Sequence, residues 1–260
     1  MPHISFSALK IWNECPFKHK LTYINKIEEF RGNAYTAFGS AMHEVCEKTL
    51  LNECKLEESP EMFRRAFIHE LNSLPQEIKV NIDEKLLKDM LKQGLDLAPL
   101  AIPALKEFFE NFEVVSSEEN LFEPILEFVK EDIDFKGFID LVLKTEDGKY
   151  HIIDWKTCSW GWDQRKKTNP IMNYQLTLYK HYFCLKHDID PKDVETYFAL
   201  LKRTAKKEQV EIFRITSGPK KTKNALNLLN KALYHIVNKN YIKNRLACSG
   251  CGFHKTKYCT

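Results

Sequence analysis

Two acids set inside apolar, strand-like runs constrain this chain most. The runs are Lys136-Gly137-Phe138-Ile139-Asp140-Leu141-Val142 and His151-Ile152-Ile153-Asp154-Trp155-Lys156-Thr157. A carboxylate in a buried strand is costly unless it is paired or bound to a cation. Two such carboxylates on adjacent strands repel each other, and a divalent ion removes the penalty. Lys156 lies two residues past Asp154, so strand alternation puts both side chains on one face. An acid, an acid and a lysine on one sheet face suit metal-assisted attack on a phosphate. The competing reading is structural, with Asp140 paired to Lys136 and Asp154 to Lys156.

Parity makes the two readings testable. Asp147-Gly148 between the runs is a hairpin signal. A two-residue turn at Asp147-Gly148 would pair residues whose numbers sum to 295, setting Asp140 against Trp155 and turning Asp154 to the opposite side. A shared site needs an even sum, hence a three- or five-residue loop or a bulge.

Elsewhere the periodicity predicts helices over Ser5–Ile24, with a break at Pro16, and over Gly39–Leu51, where Met42, Val45 and Cys46 recur at helical spacing. Further helices are expected over Pro60–Leu74 and over Asp83–Phe112, the latter interrupted near Pro99 and Pro103. Strands are expected over Val114–Val129, Ile133–Lys144 and Lys149–Thr157, then a helix over Pro170–His187. Two strands, Glu195–Lys202 and Gln209–Ile215, precede a helix from Pro219 to about Tyr241. This order predicts an α/β domain on a mixed central sheet, with an N-terminal helical insertion over 50–112.

His43 follows Gly39-Ser40-Ala41 on a helix and becomes a credible third ligand beside the two carboxylates. Its imidazole widens the choice of ion from Mg²⁺ toward Mn²⁺. Residues 201–260 carry fourteen Lys/Arg and two Asp/Glu, net +12, leaving residues 1–200 at net −9. A basic segment beside an acidic one suits a protein that grips a polyanion and holds cations in carboxylate pockets. The apolar stretch around Leu95–Leu105 is too short to span a bilayer and contains two prolines. No basic region followed by an apolar one opens the chain, so no secretory signal is expected and an intracellular, cytoplasmic setting is. Eight cysteines could suggest disulfides, but Cys248-x-x-Cys251 with Cys259 reads as a metal-ligand cluster, to which Cys15 could add a fourth thiolate.

Four motifs then occur in order: Gly39-Ser40-Ala41-Met42-His43, Gly137-Phe138-Ile139-Asp140, Asp154-Trp155-Lys156-Thr157 and Gln175-Leu176-Thr177-Leu178-Tyr179. They resemble the G-x-x-x-H, G-x-x-D, D-x-K-T and Q-x-x-x-Y motifs of RecB-like nucleases in the PD-(D/E)XK superfamily. Ser5-Phe6-Ser7-Ala8-Leu9 with Cys15-Pro16 is similar to the start of those domains. The departures are Ile139 in place of the superfamily's Pro, and Asp154 as the second acid in place of Glu.

The resemblance implies a single domain over 1–260 with a restriction-endonuclease-like core. It implies His43, Asp140, Asp154 and the main-chain carbonyl of Trp155 as ligands of Mg²⁺ or Mn²⁺, and Lys156 as the catalytic lysine. Gln175 and Tyr179, one helical turn apart, would face the site. A Glu in the preceding strand is also usual, and Glu119 is preferred over Glu123 and Glu127. Cys15, Cys248, Cys251 and Cys259 match the cysteines that hold a [4Fe–4S] cluster in AddB-type and CRISPR-adaptation nucleases, which would staple residues 245–260 to the N-terminus. Zinc, with His254 as a spare ligand, is the alternative.

The implied activity is a metal-dependent deoxyribonuclease, an exonuclease on DNA ends or single strands that leaves 5′-phosphates and 3′-hydroxyls. It would act in DNA repair, recombination or replication, and endonuclease action is also open. The sequence contains no helicase P-loop, so any unwinding would come from a helicase or recombination partner. The alternative is a non-cleaving, nuclease-like DNA-binding subunit of a recombination complex. Trp160, Arg165, Lys166 and Lys167, with Lys202 and Arg203 on the later hairpin, would bind DNA by stacking and phosphate contacts.

Overall fold

The computed structural model describes residues 2–27, 32–126, 128 and 130–260. Its six strands form one mixed sheet: β1 (His3–Ser5), β2 (Phe112–Pro124), β3 (Asp134–Thr145), β4 (Tyr150–Cys158), β5 (Val194–Lys202) and β6 (Val210–Ile215). The helices are α1 (Phe6–Glu14), α2 (Pro16–His19), α3 (Ala34–Leu50), α4 (Ser59–Ser73), α5 (Gln76–Lys79), α6 (Glu84–Phe109), α7 (Gln164–Lys167), α8 (Pro170–His187) and α9 (Pro219–Val237).

Each face of the sheet carries its own core. On one side α1, α8 and α9 bring Leu9, Trp12, Leu176, Phe183 and Leu229 against Phe135, Ile139, Val142 and Ile152. On the other, α3, α4 and α6 bring Phe38, Met42, Phe63, Phe67 and Leu97 against Leu141, Leu143, Ile153 and Trp155. Short polar side chains start the helices: Asn33 caps α3 and forms a reciprocal box with Thr36, and Asn169 caps α8.

The hairpin between β3 and β4 has the register that a shared acid site requires. Leu141 pairs Ile153 and Lys144 pairs Tyr150, an even sum. The chain turns through Glu146-Asp147-Gly148, with the Thr145 N–H donating to the Lys149 carbonyl at 3.0 Å. Gly148 takes a left-handed φ of +81°, which glycine adopts without a steric penalty.

β3 also lies at a fork. One edge pairs β2 along its length. The other pairs β4 over Leu141–Lys144 and, in parallel, β1 over Asp134–Lys136. β4 therefore leaves β3 just past Leu141–Ile153, with Asp140 and Asp154 at the crotch. Ile139 packs into one core and Leu141 into the other, so the alternation of β3 slips at Asp140.

The helical expectation over Asp83–Phe112 needs one correction. α6 runs unbroken through Pro99 and Pro103. Its buried stripe of Met90, Leu97, Ala101, Leu105 and Phe109 packs continuously, while Pro99 and Pro103 lie off that stripe, Pro103 exposed. The hydrogen bonds lost at proline are thus kept away from the core. Among the described residues, no helix is long and apolar enough to cross a membrane.

Candidate functional site

The site is built across three adjacent strands and one helix. In the β2–β3 register Ser117 pairs Leu141 and Glu119 pairs Ile139, which sets Glu118 across from Asp140. The β3–β4 register, carried one step past Leu141–Ile153, sets Asp140 across from Asp154. α3 adds His43 from above. Its Nε2–H donates to the Trp155 carbonyl at 3.0 Å, and its Nδ1 lies 3.6 Å from Asp140 Oδ2. The Trp155 N–H in turn donates to Asp140 Oδ2 at 2.8 Å, which ties the crotch together.

Among the described residues, His43, Glu118 and Asp140 bring a ligand atom each to within 4.8 Å of one another. Asp154 is only 1% exposed, and its Oδ1 is buried without a hydrogen-bond partner. The Lys156 ammonium pairs with Asp154 Oδ2.

The electrostatics reflect crowded, desolvated charge. Burial, with Asp154 beside it, pushes Asp140 well above the ordinary carboxylate range. Glu118 is pushed up by partial burial and by Glu47 and Asp154. Burial holds His43 below the usual imidazole value, so it stays neutral and ligand-competent near pH 7. Lys156 is held charged: Asp154 and Asp140 outweigh the burial that opposes its charge. Neutral imidazole, two or three carboxylates and a main-chain carbonyl form a donor set for a hard divalent cation. The partnerless Asp154 Oδ1 is what such an ion would satisfy.

Gln175 and Tyr179 come from α8 on the far side of the fork, with Gln175 Nε2 donating to the Tyr179 hydroxyl at 3.3 Å. Gly137 explains how the tyrosine gets there. A Cβ on Gly137 would lie 2.7 Å from Tyr179 Cε1, so only glycine lets the ring rest on β3. Burial and the nearby Asp154 push the Tyr179 phenol up, so it stays protonated.

The structure corrects the choice of glutamate. Glu119 points toward α8, where its carboxylate accepts from Lys186 Nζ at 2.6 Å and His187 Nε2 at 2.9 Å. Glu118, at a left-handed φ of +51°, reaches the site instead. Periodicity gave no sign of this, because a non-glycine residue with positive φ breaks the alternation locally. Glu127 lies outside the described residues.

The expected DNA contacts divide. Trp160 is 74% exposed, and Arg165 and Lys166 are exposed on α7, with Lys166 Nζ 4.6 Å from the Trp162 ring centre. Lys167 pairs with Glu211. Lys202 and Arg203 are corrected: both are buried. Lys202 lies 3.4 Å from Glu211, and Arg203 donates to Gln93 at 2.9 Å and to Ser159 at 3.1 Å, with its guanidinium against Tyr35 and Phe38. Their charges are spent on internal partners.

At the other end of the chain Cys15, Cys248, Cys251 and Cys259, all free thiols, line one cavity of about 420 Å³ together with His254. Asn244 on its wall donates from its backbone to Cys15 Sγ at 3.3 Å and from its side chain to the Glu14 carbonyl at 2.8 Å.

The model of the PD-(D/E)XK nuclease superfamily matches residues 3–256. The chain belongs to this superfamily. Its mixed sheet with helices on both faces is the restriction-endonuclease-like fold, and divalent-ion chemistry is general among these nucleases. A crystal structure from Eubacterium rectale, described as a candidate exonuclease, superposes with a TM-score of 0.61. It has 11% identity, over 98% of this chain and 88% of that one. A further solved structure, SSO0001, has 14% identity over 95% of this chain and 93% of that one, and its TM-score of 0.39 is too low to inform the fold. No curated protein matches the sequence.

Proposed function

We propose that this nuclease is a deoxyribonuclease acting on DNA ends or single strands in repair, recombination or replication, with Mg²⁺ or Mn²⁺ held by His43, Asp140, Asp154 and the Trp155 carbonyl. Glu118 joins that set in place of Glu119. The observation that carries the reading is the meeting of His43, Glu118 and Asp140, with Asp154 on the next strand beside them and Lys156 paired to it.

A divalent ion there would acidify water and neutralise charge developing on the scissile phosphate. The chain's own residues do the rest. Asp140 is fixed by the Trp155 N–H and Asp154 by burial, so neither reorganises as charge develops. Lys156 keeps its proton and would supply a positive charge beside the phosphate, and Asp154, now paired with it, is a carboxylate that would hold the ion. Tyr179, protonated and accepting from Gln175, would offer its hydroxyl proton toward the same pocket. Trp160, Arg165 and Lys166 offer an exposed aromatic and basic approach on β4's side of the fork.

We read the four cysteines as the ligands of a [4Fe–4S] cluster, with zinc as the alternative; the support is that four free thiols line one cavity. The cluster would join residues 245–260 to the end of α1.

The test is digestion of end-labelled linear DNA and closed circular DNA with Mg²⁺ or Mn²⁺. Wild-type protein is expected to degrade the linear substrate and leave the circle, and Asp154→Ala and Lys156→Ala to degrade neither substrate. Equal digestion by all three proteins would discard the mechanism, and an inert wild type that still binds DNA would favour a non-cleaving subunit.

A further inference from the structure

The β2–β3 ribbon runs on past the carboxylates, and on one of its faces two phenylalanines stay exposed among the described residues. Leu121, Ile125, Phe135 and Ile139 turn into the α8-side core. Strand alternation sends Asn120, Phe122, Lys136 and Phe138 to the other side. There Phe138 is 47% and Phe122 44% exposed, unusual for two phenylalanines on one short ribbon. Asn120 pairs Phe138, and Phe122 pairs Lys136. The next rung toward the hairpin is Glu118 opposite Asp140, so these pairs continue the row of rungs that starts at the acids. Lys136 Nζ lies 5.7 Å from the Phe138 ring centre, and the His3 ring 5.9 Å from that of Phe122.

We propose that this face is a stacking platform for single-stranded DNA running into the carboxylate site, with Phe138 and Phe122 each taking a base and Lys136 a phosphate. The proposal deepens the nuclease reading and rests on it for where the strand leads. Three observations select this occupant. The aromatics are flat, exposed and separated by one rung, about 6.8 Å along the strand, a step an extended nucleotide chain can follow. A cation, Lys136, lies across from Phe122 and near the Phe138 ring, where an acid would repel a phosphate. The track is continuous with the site that would cut the phosphodiester. Stacking on aromatic rings tolerates any base, so the platform grips strands without reading sequence. Duplex DNA, whose bases are already stacked on one another, gains nothing from it.

The test is fluorescence anisotropy with a labelled oligo(dT) 12-mer in EDTA, where no cleavage occurs, so the result stands whether or not the protein proves to be a nuclease. Cleavage of linear DNA by wild type reads the nuclease reading separately. Phe138→Ala is expected to raise Kd by about five-fold to over a hundred-fold, the range for losing one stacked base, and Phe122→Ala to do the same. Phe138→Trp should bind at least as tightly as wild type. Phe138→Leu, which keeps apolar bulk without a ring, should behave like the alanine variant and so separates stacking from a folding defect. Affinity for a blunt duplex should change less than two-fold in every variant. Wild-type affinity for the 12-mer in both alanine variants would overturn the proposal. So would equal losses on single strand and duplex, or a change in oligomeric state by light scattering with 12-mer affinity intact, which would assign the face to a second copy of the chain.

Discussion

Gly137→Ala probes the contact that seats Tyr179 beside the acids. The added methyl would lie 2.7 Å from Tyr179 Cε1 and 3.3 Å from both Tyr179 Cδ1 and Phe135 Cε1. Phe135 is fully buried and stacked on Tyr182 at 4.5 Å, so it has no room to yield. Tyr179 must move. Overpacking of this kind costs about 1–3 kcal/mol, less about 0.5–1 kcal/mol because alanine is the better strand residue. For a chain of this length each kcal/mol lowers Tm by roughly 2–4 °C. Thermal unfolding followed by near-UV circular dichroism reads the loss, and Tyr179→Leu in the Gly137→Ala background should recover most of it by removing the ring edge that clashes. The double-mutant cycle then shows a coupling of about 1 kcal/mol or more. Gly137→Ala melting with wild type, or a double variant as unstable as the sum of its parts, would refute the claim that glycine is there to admit the tyrosine.

Other consequences follow from charge and burial. Asp140→Asn removes one of three crowded carboxylates while keeping an oxygen for the Trp155 N–H. The metal-free protein should therefore melt higher than wild type, yet lose the stabilisation of about 2.7 kcal/mol that Mn²⁺ at a hundred times its Kd gives wild type. Because Asp140 is held well above the usual carboxylate range, Mn²⁺ affinity measured by calorimetry should rise with pH and binding should release protons. His19, buried and stacked on Tyr23, has its pKa lowered by burial to about 4. The unfolded chain, near 6.5, therefore binds the proton more readily. Stability from this group is complete above pH 6.5 and falls as pH drops toward 4, and His19→Gln should flatten that limb in urea melts across pH. Anaerobically purified protein should absorb near 400 nm and lose that band in Cys248→Ser; a colourless, zinc-loaded wild type would defeat the cluster.

The fold was legible where side-chain periods were long and uninterrupted. α8, α9 and both hairpins follow directly from apolar spacing, and the even register followed from requiring Asp140 and Asp154 to meet. The failures share a physical cause, which is local geometry that overrides the period. Glu118 enters the site through a left-handed residue, which the preference for Glu119 drawn from the family pattern does not foresee. α6 passes two prolines because a continuous buried stripe outweighs two missing hydrogen bonds on another face. Lys202 and Arg203 looked like a basic track, but composition cannot show that Glu211, Gln93 and Ser159 wait on the inside. The fork that sets the acids apart from ordinary strand residues depends on β1, three residues long, taking over the edge of β3.

The central claim is that His43, Glu118, Asp140 and Asp154 surround one divalent ion. Anomalous diffraction from Mn²⁺-soaked crystals tests it most directly. The account predicts a single strong peak within bonding reach of Asp140, Asp154 and the Trp155 carbonyl, with Lys156 drawn off Asp154. A peak elsewhere, or an unchanged Asp154–Lys156 pair at saturating Mn²⁺, would contradict it.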